Sequence, residues 1–547
     1  MRKIILISIF LISLILMMVS SKLDSITTDE GVHLFAGFSY LTQRDFRLDP
    51  EHPPLLKELG ALPFLFQKNF NTSFSDLWNK AGNFYYDSWQ ETRILGDNFI
   101  ANNSDSIIFF SRLVFILLTM ILGVFSYFWS KKLYGETAGI LAAFLILFFP
   151  NFLAHGRLIN TDLGLTLFIF IAIYFWGKFL KEPNIINAIL SGLFLGLTLA
   201  SKFTGIIILP ILLILIIIKL ILQKNFKNWG KFILGLIAVG FIAFIIIWGT
   251  YGFSLQAPPK ISRGLSAEIN TWTPYTAPDT FDSFYQKIRP VLIPKYFYKG
   301  LTMVGVHAEA GHSSYLLGQT SKTGWWYYFP LAIFFKTPIP IFILLFVSLF
   351  YFKKIKAKEI FDEYLLIIPA IVFLAFAMYS KADLGIRHIL PIFPFVFVFI
   401  SKTINLIDFK KWRWVTFGFV ILIVWYLSSA LLSFPNYIAY FNEFAGGSSG
   451  GYKILTDSNL DWGQDIFRIK DYVEKNKITD YYLVYGWDGD QYLQKNGLKY
   501  KTLFSGEKVH GKVIISASSL VGDSGYSWLK EYPRTQITPG VFMVDAN

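Results

Sequence analysis

The stretch TGIIILPILLILIIIKLIL at residues 204–222 decides the class of this protein, because it contains a single charged side chain, Lys219. A helix needs about 20 predominantly apolar residues to cross the hydrocarbon core of a bilayer. The stretch IIFFSRLVFILLTMILGVFSYFW at residues 107–129 has the same character and also contains one charge. Both stretches predict membrane-spanning helices.

The composition of the 547-residue chain agrees with this reading, since hydrophobic residues make up 54% and charged residues 16%. Soluble domains carry about 25% charged residues. The aromatic content of 18% excludes a disordered chain, which would have low hydrophobicity. The chain has no cysteine, and this excludes disulfides, thiolate metal sites and cysteine nucleophiles.

Eleven apolar runs with few charges occur along the chain. We therefore predict a polytopic α-helical membrane protein with about 11 transmembrane helices. The predicted spans lie at residues 4–20, 107–129, 137–153, 163–180, 186–200, 204–222, 232–250, 327–352, 364–380, 388–404 and 413–433.

Basic residues between the spans predict the orientation. One set of connecting segments holds 18 Lys and Arg, whereas the short turns on the other side hold four, and the basic side is normally cytoplasmic. The net charge of +13 is thus a topology signal, and we expect no nucleic-acid partner. The predicted location is the plasma (inner) membrane, with longer pieces outside at residues 21–106, 251–326 and 434–547.

The chain is predicted to divide into a transmembrane domain of residues 1–433 and an extracytoplasmic tail of residues 434–547. Helical apolar spacing occurs at residues 465–475. Runs rich in β-branched and aromatic residues predict strands, at residues 481–485, 512–516 and 541–544. The tail therefore predicts a small C-terminal α/β domain.

The tail contains the stretch DSNLDWGQD at Asp457–Asp465. Its spaced acids are similar to those of a calcium loop, but the Gly at the sixth position and the Glu at the twelfth are missing. The start of a helix, capped by Asp or Ser, is the expected structure.

Ionisable groups are dense in the first predicted outer loop. Asp29 and Glu30 follow the first span, and EHPPLLK at residues 51–57 holds His52 and Lys57 beside two prolines that fix the backbone. An acid, an imidazole and an amine are therefore predicted to lie beside the bilayer surface.

Further ionisable residues lie within spans or at their predicted outer ends, where a charge is costly and usually functional. They are Arg157, Asp162, Lys202, Lys336, Arg387 and His388. A carboxylate near a hydroxyl can act as a general base, and Lys and Arg can neutralise a phosphate. These groups would suit a transfer reaction on a lipid phosphate ester, although the residues alone do not identify a sugar.

A metal site is a weaker hypothesis for His307, Glu309 and His312. The two histidines are five residues apart and so do not share a helix face, and the pattern specifies no third ligand. A loop with incidental imidazoles is favoured, and no cofactor is certain, but a divalent metal stays open.

The order of these residues resembles the GT-C membrane glycosyltransferases, in the branch of protein O-mannosyltransferases and lipid A aminoarabinose transferases. The resemblance covers roughly residues 1–210, and DSNLDWGQD with the upstream YFNEFAGG resembles bacterial members with an outer tail. It implies an inverting enzyme that moves a sugar from a polyprenyl-phosphate carrier to an extracytoplasmic hydroxyl of a protein, lipid or glycan. The residues that carry it are Asp29-Glu30, HPPLLK at His52–Lys57, Arg157, Asp162 and Lys202.

The resemblance also implies roles for single residues. Asp29 matches the catalytic base, Glu30 an orienting or acceptor-binding neighbour, and Asp162 a second acid near the sugar. The sequence has no clear counterpart of the β-trefoil insert of eukaryotic O-mannosyltransferases, so the donor sugar and the acceptor stay open. The groups expected to bind the donor phosphate or substrate are His52, Lys57, Arg157 and Lys202, with Lys336, Arg387 and His388 added by their position.

A secondary transporter or flippase for a lipid-linked or small anionic solute is the alternative hypothesis, since it would also explain many spans and intramembrane charge. Transporters usually show paired repeats and binding groups near the bilayer midplane. This sequence shows no repeat, and its candidate groups gather at one predicted interface. The transferase is therefore favoured.

Overall fold

The computed structural model describes residues 1–67, 89–103, 105–223, 229–254, 293–407, 413–485 and 490–547. Parts of two predicted outer loops, at residues 68–88, 104 and 255–292, lie outside these described residues.

Long apolar helices make up most of the chain. Within the described residues, seven are long and apolar enough to cross a membrane, and the prediction of a polytopic α-helical membrane protein is confirmed. They are Arg2–Leu23, Ile107–Tyr134, Thr161–Lys181, Phe203–Gln223, Phe232–Thr250, Ile360–Tyr379 and Trp414–Leu432. A bent pair adds an eighth if it is one span. Three apolar helices are shorter, at Glu136–Leu147, Ile185–Leu199 and Ile392–Leu406, so the count of about eleven stays a prediction.

The predicted continuous span at residues 327–352 is broken. It consists of helices Tyr328–Lys336 and Ile339–Phe350, whose axes differ by 108°. Pro338 has no backbone N–H and disfavours helical geometry at the residue before it, and Thr337 is accordingly extended, with φ −110° and ψ 133°. Long apolar runs lie on both sides of Lys336, Thr337 and Pro338, which is why hydropathy averaged over the whole stretch predicts one helix.

Several helices too short to span a membrane pack around the long ones. Helix Thr28–Gln43 lies against helix Pro54–Ala61 so closely that a Cβ at Gly37 would overlap the carbonyl of Lys57. This approach, which only glycine permits, brings the HPPLLK block against the helix that carries Asp29. The remaining α-helices are Trp89–Ala101, Pro150–His155, Lys295–Ala310, Phe352–Ile355, Ile466–Lys475, Asp490–Lys495 and Ala517–Val521.

The tail contains the predicted sheet. Strands Tyr482–Val484, Lys512–Ser516 and Val541–Asp545 and helix Ile466–Lys475 confirm the elements predicted there. Strands Lys501–Thr502 and Arg534–Thr538 complete five strands, in the spatial order 501–502, 482–484, 512–516, 541–545, 534–538. The first three strands in this order are parallel to one another. Strand Val541–Asp545 pairs antiparallel with both of its neighbours, Lys512–Ser516 and Arg534–Thr538. The predicted domain boundary at residue 433 stays a prediction.

Two strands and several 3-10 helices complete the described elements. The strands Ser314–Leu316 and Gln319–Ser321 form an antiparallel hairpin in the part of the chain predicted as the second outer loop. The 3-10 helices outside the spans lie at Leu62–Phe66, Ile386–Ile389, Tyr437–Ala439, Glu443–Ala445, Ser448–Lys453, Asp457–Asn459 and Ser527–Glu531.

Candidate active site

Asp29 lies in the first turn of helix Thr28–Gln43, at the end where backbone N–H groups favour a negative charge. The start of this helix is fixed by Glu30, whose carboxylate accepts from Thr27 N–H at 2.8 Å and whose N–H donates to the carbonyl of Thr27 at 3.2 Å. The Asp29 side chain is 17% exposed. It is therefore an accessible acid on a rigid support.

Two acids and two cations meet beside Asp29. Arg387 Nη1 donates to Asp29 Oδ2 at 3.2 Å and to Asp162 Oδ2 at 3.3 Å. Lys202 Nζ donates to the other oxygen of Asp162 at 2.6 Å. The structure thus brings four of the predicted site residues into one cluster, which we call the charge cluster.

Asp162 is the buried member of the charge cluster, with its side chain 2% exposed. It begins the deeply buried helix Thr161–Lys181, and the Asn160 side chain caps that helix by accepting from the N–H groups of Asp162 and Leu163. Because both of its carboxylate oxygens are bound by cations, Asp162 anchors Lys202 and Arg387.

Two neutral imidazoles adjoin the charge cluster. Burial lowers the pKa of His388 well below its ordinary range, and the nearby Lys202 and Arg387 lower it further. Burial also lowers the pKa of His52; the Asp49 carboxylate opposes this shift and Lys202 adds to it. In the described part of the chain, His52 Nδ1 and His388 Nε2 are buried without a hydrogen-bond partner. Both nitrogens are therefore available to a ligand.

Lys57 lies beneath the loop that carries His52. Its ammonium is fully buried and donates to the carbonyls of Asp49 and His52 at 2.5 and 2.7 Å and to Tyr40 Oη at 2.9 Å. Burial alone would raise the pKa of Asp49, but Lys57 and His33 hold it below its ordinary value. The predicted proximity of Lys57 to the site is found, but this side chain is committed to holding the His52 loop.

Glu30 points away from the charge cluster. Its carboxylate receives Arg112 Nε and Nη2 at 2.8 and 2.6 Å and Ile159 N–H at 3.1 Å, and it is fully buried. This bidentate pair ties the Asp29 helix to helix Asp105–Tyr134 and to the chain before Asp162. Arg112, the single charge of the apolar run quoted above, is its partner, which hydropathy alone could not identify.

Arg157 and Lys336 are also buried beside the cluster rather than in it. Arg157 Nη2 lies 2.6 Å from Asp24 Oδ2, at the end of the first helix. Lys336 Nζ donates to the carbonyls of Ile438 and Asn459 at 2.7 and 2.5 Å. Both cations hold neighbouring chain segments together.

The residues of the metal hypothesis are dispersed. Glu51 Oε1 lies 2.5 Å from His307 Nδ1, and this hydrogen bond raises the pKa of His307. The His307 and His312 rings are 5.9 Å apart, whereas Glu309 is exposed. Among the residues that the structure describes, no group of three or more His, Cys, Asp or Glu side chains could hold a metal ion. A divalent ion stays a prediction.

Asp383 holds the turn that precedes Arg387. Its Oδ2 accepts from Trp325 N–H at 2.7 Å, and its Oδ1 is buried without a hydrogen-bond partner among the described residues. The residue is 2% exposed. Burial raises the pKa of Asp383 from its ordinary 3.8 to about 6, against the opposing effect of the Trp325 hydrogen bond.

Asp383→Asn is therefore expected to alter the pH dependence of stability. The folded state keeps the Asp383 proton to a higher pH than the unfolded state, so this group makes wild-type stability fall between about pH 4 and pH 6. Thermal unfolding in detergent should show a higher Tm for Asp383→Asn than for wild type at pH 8 and a smaller gain at pH 5. An equal gain at both pH values would contradict the assignment. Asp383→Ala, which also removes the acceptor of Trp325 N–H, should lose stability at both.

An apolar cavity of about 190 Å³ lies near Lys202. It is lined mainly by helices Ile185–Leu199 and Trp229–Thr250, and by Phe297. The Phe297 ring packs edge-on against Phe203, the residue after Lys202, with ring centroids 5.0 Å apart. One pair of packed rings thus links the lining of the cavity to the residue that follows Lys202.

Known proteins share parts of this chain and its fold. Residues 99–248, which include Arg157, Asp162 and Lys202, match the family model described as dolichyl-phosphate-mannose-protein mannosyltransferase. No curated protein sequence matches significantly.

Solved structures of other proteins resemble the fold of this chain. The crystal structure of ArnT from Cupriavidus metallidurans bound to undecaprenyl phosphate is 11% identical, with a TM-score of 0.52 over 98% of this chain and 97% of that one. The archaeal oligosaccharyltransferase AglB from Archaeoglobus fulgidus, in complex with an inhibitory peptide and a dolichol-phosphate, is 12% identical, with a TM-score of 0.43 over 99% and 74%. The likeness to ArnT confirms the predicted multi-pass GT-C fold.

Proposed function

We propose that this chain, which has the GT-C membrane glycosyltransferase fold, is an inverting enzyme that moves a sugar from a polyprenyl-phosphate carrier to an acceptor hydroxyl. The observation that carries the proposal is the charge cluster, in which Arg387 bridges Asp29 and Asp162 while Lys202 holds Asp162. The family-model match and the undecaprenyl phosphate bound to ArnT support a lipid-linked donor.

Asp29 is the proposed catalytic base. It is the more exposed of the two acids in the cluster, with a side chain 17% exposed against 2% for Asp162. Its carboxylate is bound by one cation, whereas that of Asp162 is bound by two. In the reaction Asp29 takes the proton of the acceptor hydroxyl, whose oxygen attacks the anomeric carbon from the face opposite the phosphate. The bond between that carbon and the phosphate oxygen breaks, and polyprenyl phosphate leaves with the electron pair.

The leaving phosphate is proposed to lie against Lys202 and Arg387, with the neutral imidazoles of His52 and His388 donating or accepting hydrogen bonds beside them. Cations that neutralise the phosphate make it a good leaving group, so the transfer needs no separate general acid. Asp162 would act through Lys202 and Arg387, as a positioning residue instead of a second reacting acid.

The other predicted site residues receive supporting roles in this proposal. Lys57 would hold the His52 loop and Glu30 the start of the Asp29 helix, while Arg157 and Lys336 fasten adjoining segments. Groups committed to protein partners thus shape the site, and Asp29, Lys202 and Arg387 contact the substrate.

The apolar cavity beside Phe203 supports a place for the carrier chain. A prenyl chain is hydrocarbon, and its burial against the lining of helices Ile185–Leu199 and Trp229–Thr250 is favourable. The phosphate would then emerge next to Lys202. The acceptor is proposed to be a hydroxyl of a protein, lipid or glycan.

The site is proposed to face the outside of the plasma (inner) membrane, on the strength of the 18 to 4 bias of basic residues. Because the chain has no cysteine, single cysteines can report its orientation. Lys508→Cys, exposed in the tail, should react with a membrane-impermeant maleimide in intact cells. Lys354→Cys, exposed in a basic segment, should react only after lysis, and the reverse pattern would overturn the orientation.

Mass spectrometry of lipid bound to the purified protein tests the proposed donor. Wild type and Asp29→Asn would each be incubated with membrane lipid extract and repurified. Wild type should retain polyprenyl phosphate, and Asp29→Asn should retain the same lipid with the mass of a sugar added, which would also identify the sugar. Absence of polyprenyl phosphate lipids from both would contradict the proposal.

The alternative of a secondary transporter is not favoured. Its binding groups would be expected near the bilayer midplane, whereas the charge cluster joins the ends of several helices to the start of helix Thr28–Gln43. The family-model match also supports a transferase.

A further inference from the structure

The segment Asp457–Asp465, DSNLDWGQD, contacts the charge cluster from the side of the tail. Ser458 Oγ accepts from Arg387 Nε at 3.0 Å, and Asn459 Oδ1 accepts from Ile386 N–H at 2.9 Å. The guanidinium carbon of Arg387 lies 4.3 Å from the centre of the Trp462 ring system. A guanidinium at this distance from an aromatic face is held by a cation–π contact, so the segment holds Arg387 by a hydrogen bond and by its tryptophan ring.

The same segment holds the start of the Asp29 helix. The carbonyl of Trp462 accepts from Thr28 N–H at 3.0 Å and from Thr28 Oγ1 at 3.2 Å. The carbonyl of Gln464 accepts from Ser25 N–H at 3.1 Å. Thr28 directly precedes Asp29, so Trp462 contacts the neighbour of the proposed base through its backbone and Arg387 through its indole.

Internal bonds make this segment a rigid support. Trp462 N–H donates to Gln464 Oε1 at 2.7 Å, and Gln464 Nε2 donates to the carbonyl of Leu460 at 3.0 Å. Trp462 is 6% exposed. Gly463 has a φ of +95°, which glycine adopts without strain and other residues rarely adopt. A displacement of the indole would therefore be transmitted to Thr28 as well as to Arg387.

These contacts leave one guanidinium nitrogen to a substrate. Arg387 Nε donates to Ser458 Oγ, and Arg387 Nη1 donates to both Asp29 and Asp162. Within the described residues, Nη2 has no hydrogen-bond partner. The contact with Trp462 and the bonds of Nε and Nη1 together hold the guanidinium that carries Nη2.

We propose that Trp462 is a positioning residue for sugar transfer, which aligns Asp29 and Arg387 with each other from the tail. This inference rests on the proposed function. The indole keeps Arg387 Nη1 between the two acids and Nη2 towards the leaving group, while the carbonyl keeps Asp29 in register with them. The tail of the same chain thus completes the site. Misalignment of Asp29 and Arg387 would reduce the rate of the chemical step more than the affinity for donor.

The test compares Trp462→Phe with Trp462→Leu in the full-length protein. Both remove the indole, but only Phe keeps an aromatic face for Arg387. We expect Trp462→Phe to keep kcat within about threefold of wild type and Trp462→Leu to lower kcat at least about tenfold, as loss of a desolvated cation–π contact predicts. The KM for donor should change less than about threefold in both variants, and Trp462→Leu should have the lower Tm because it loses the cation–π contact.

Two further variants separate alignment from general packing. Ser458→Ala removes the acceptor of Arg387 Nε, together with the hydrogen bond that the Ser458 hydroxyl donates to the carbonyl of Leu384, and should also lower kcat without raising the donor KM. Trp528→Leu, which alters a tail tryptophan packed against Tyr532, should leave kcat unchanged. If Trp462→Leu fails to fold, the kcat of Ser458→Ala tests the positioning role instead.

The outcomes separate this inference from the proposed function. Equal kcat values for Trp462→Phe and Trp462→Leu, or wild-type kcat for Ser458→Ala, would overturn the positioning role while wild type still transfers sugar. Absence of transfer by wild type from any polyprenyl-phosphate sugar would overturn both.

Discussion

Asp29→Asn is expected to reduce sugar transfer at least about 10³-fold, within the range that a general base contributes. Asparagine keeps the size of the side chain and can still contact Arg387, but it cannot accept the acceptor proton. The contact that it weakens is partly exposed, with Arg387 Nη1 3.2 Å from Asp29 Oδ2, so the Tm should change little. Transfer is measured with a defined polyprenyl-phosphate sugar, and donor binding by the shift in Tm on adding that lipid.

Asp45→Asn is the matched control for this prediction. Asp45 is an acid of similar exposure in the loop after the same helix, where it pairs with Arg47, and its substitution should leave transfer unchanged. Wild-type turnover by Asp29→Asn would refute the assignment of the base. Loss of donor binding by the same variant would show that Asp29 acts on the donor instead.

Lys202→Met is expected to lower kcat/KM for the donor by about 10- to 100-fold, because a charge-assisted hydrogen bond contributes about 1.5–3 kcal/mol. Methionine keeps the length of the side chain without its charge. The variant also leaves Asp162 buried with Arg387 as its remaining cation, which should lower the Tm. The activity and stability effects therefore need to be separated.

The double variant Lys202→Met with Asp162→Asn separates them. It removes the buried charge that Lys202→Met leaves under-compensated, so the Tm should recover, whereas kcat/KM for the donor should not. Lys322→Met, at an exposed lysine outside the cluster, should behave as wild type. Recovery of transfer together with the Tm would contradict a direct role of Lys202 towards the donor phosphate.

Hydropathy and charge bias predict most of the fold because they report burial in lipid, which is a property of local sequence. The spans that begin near residues 107, 163 and 413 are found within a few residues of their predicted positions. Hydropathy does not predict the break at Thr337–Pro338, since apolar residues continue on both sides of it. The three main tail strands are predicted because their β-branched runs are uninterrupted.

The site is predicted in part for a different reason. Charges at predicted helix ends are rare enough to select Asp29, Asp162, Lys202 and Arg387, and the structure joins these four. Sequence pattern cannot state how a charge is paired, because partners come from distant segments.

Buried pairs illustrate that limit. Glu30 is committed to Arg112, and Lys57 to the loop at Asp49, although both stand near residues of the proposed site in the sequence. The residues next to Glu30 and Lys57 in the sequence do not indicate either of these contacts.

The contribution of DSNLDWGQD is the largest feature that the sequence reading missed. The predicted helix start is found, since Asp465 occupies the N-cap position of helix Ile466–Lys475, but the predicted capping by its side chain is wrong, because that carboxylate makes no capping bond. The contacts of Trp462 and Ser458 with Arg387 span about 70 residues of sequence, and only a folded chain reveals them. An aromatic residue inside an acidic, polar stretch was the one available signal.

The anomeric configuration of the product, together with the fate of the carrier, tests the central claim most directly. Purified protein in nanodiscs would receive a polyprenyl-phosphate sugar of known anomeric configuration and an acceptor, and NMR and mass spectrometry would follow the products. We expect one polyprenyl phosphate to be released per sugar transferred, with the anomeric configuration inverted. Movement of the intact sugar lipid across the bilayer without cleavage, or transfer with retention of configuration, would contradict it.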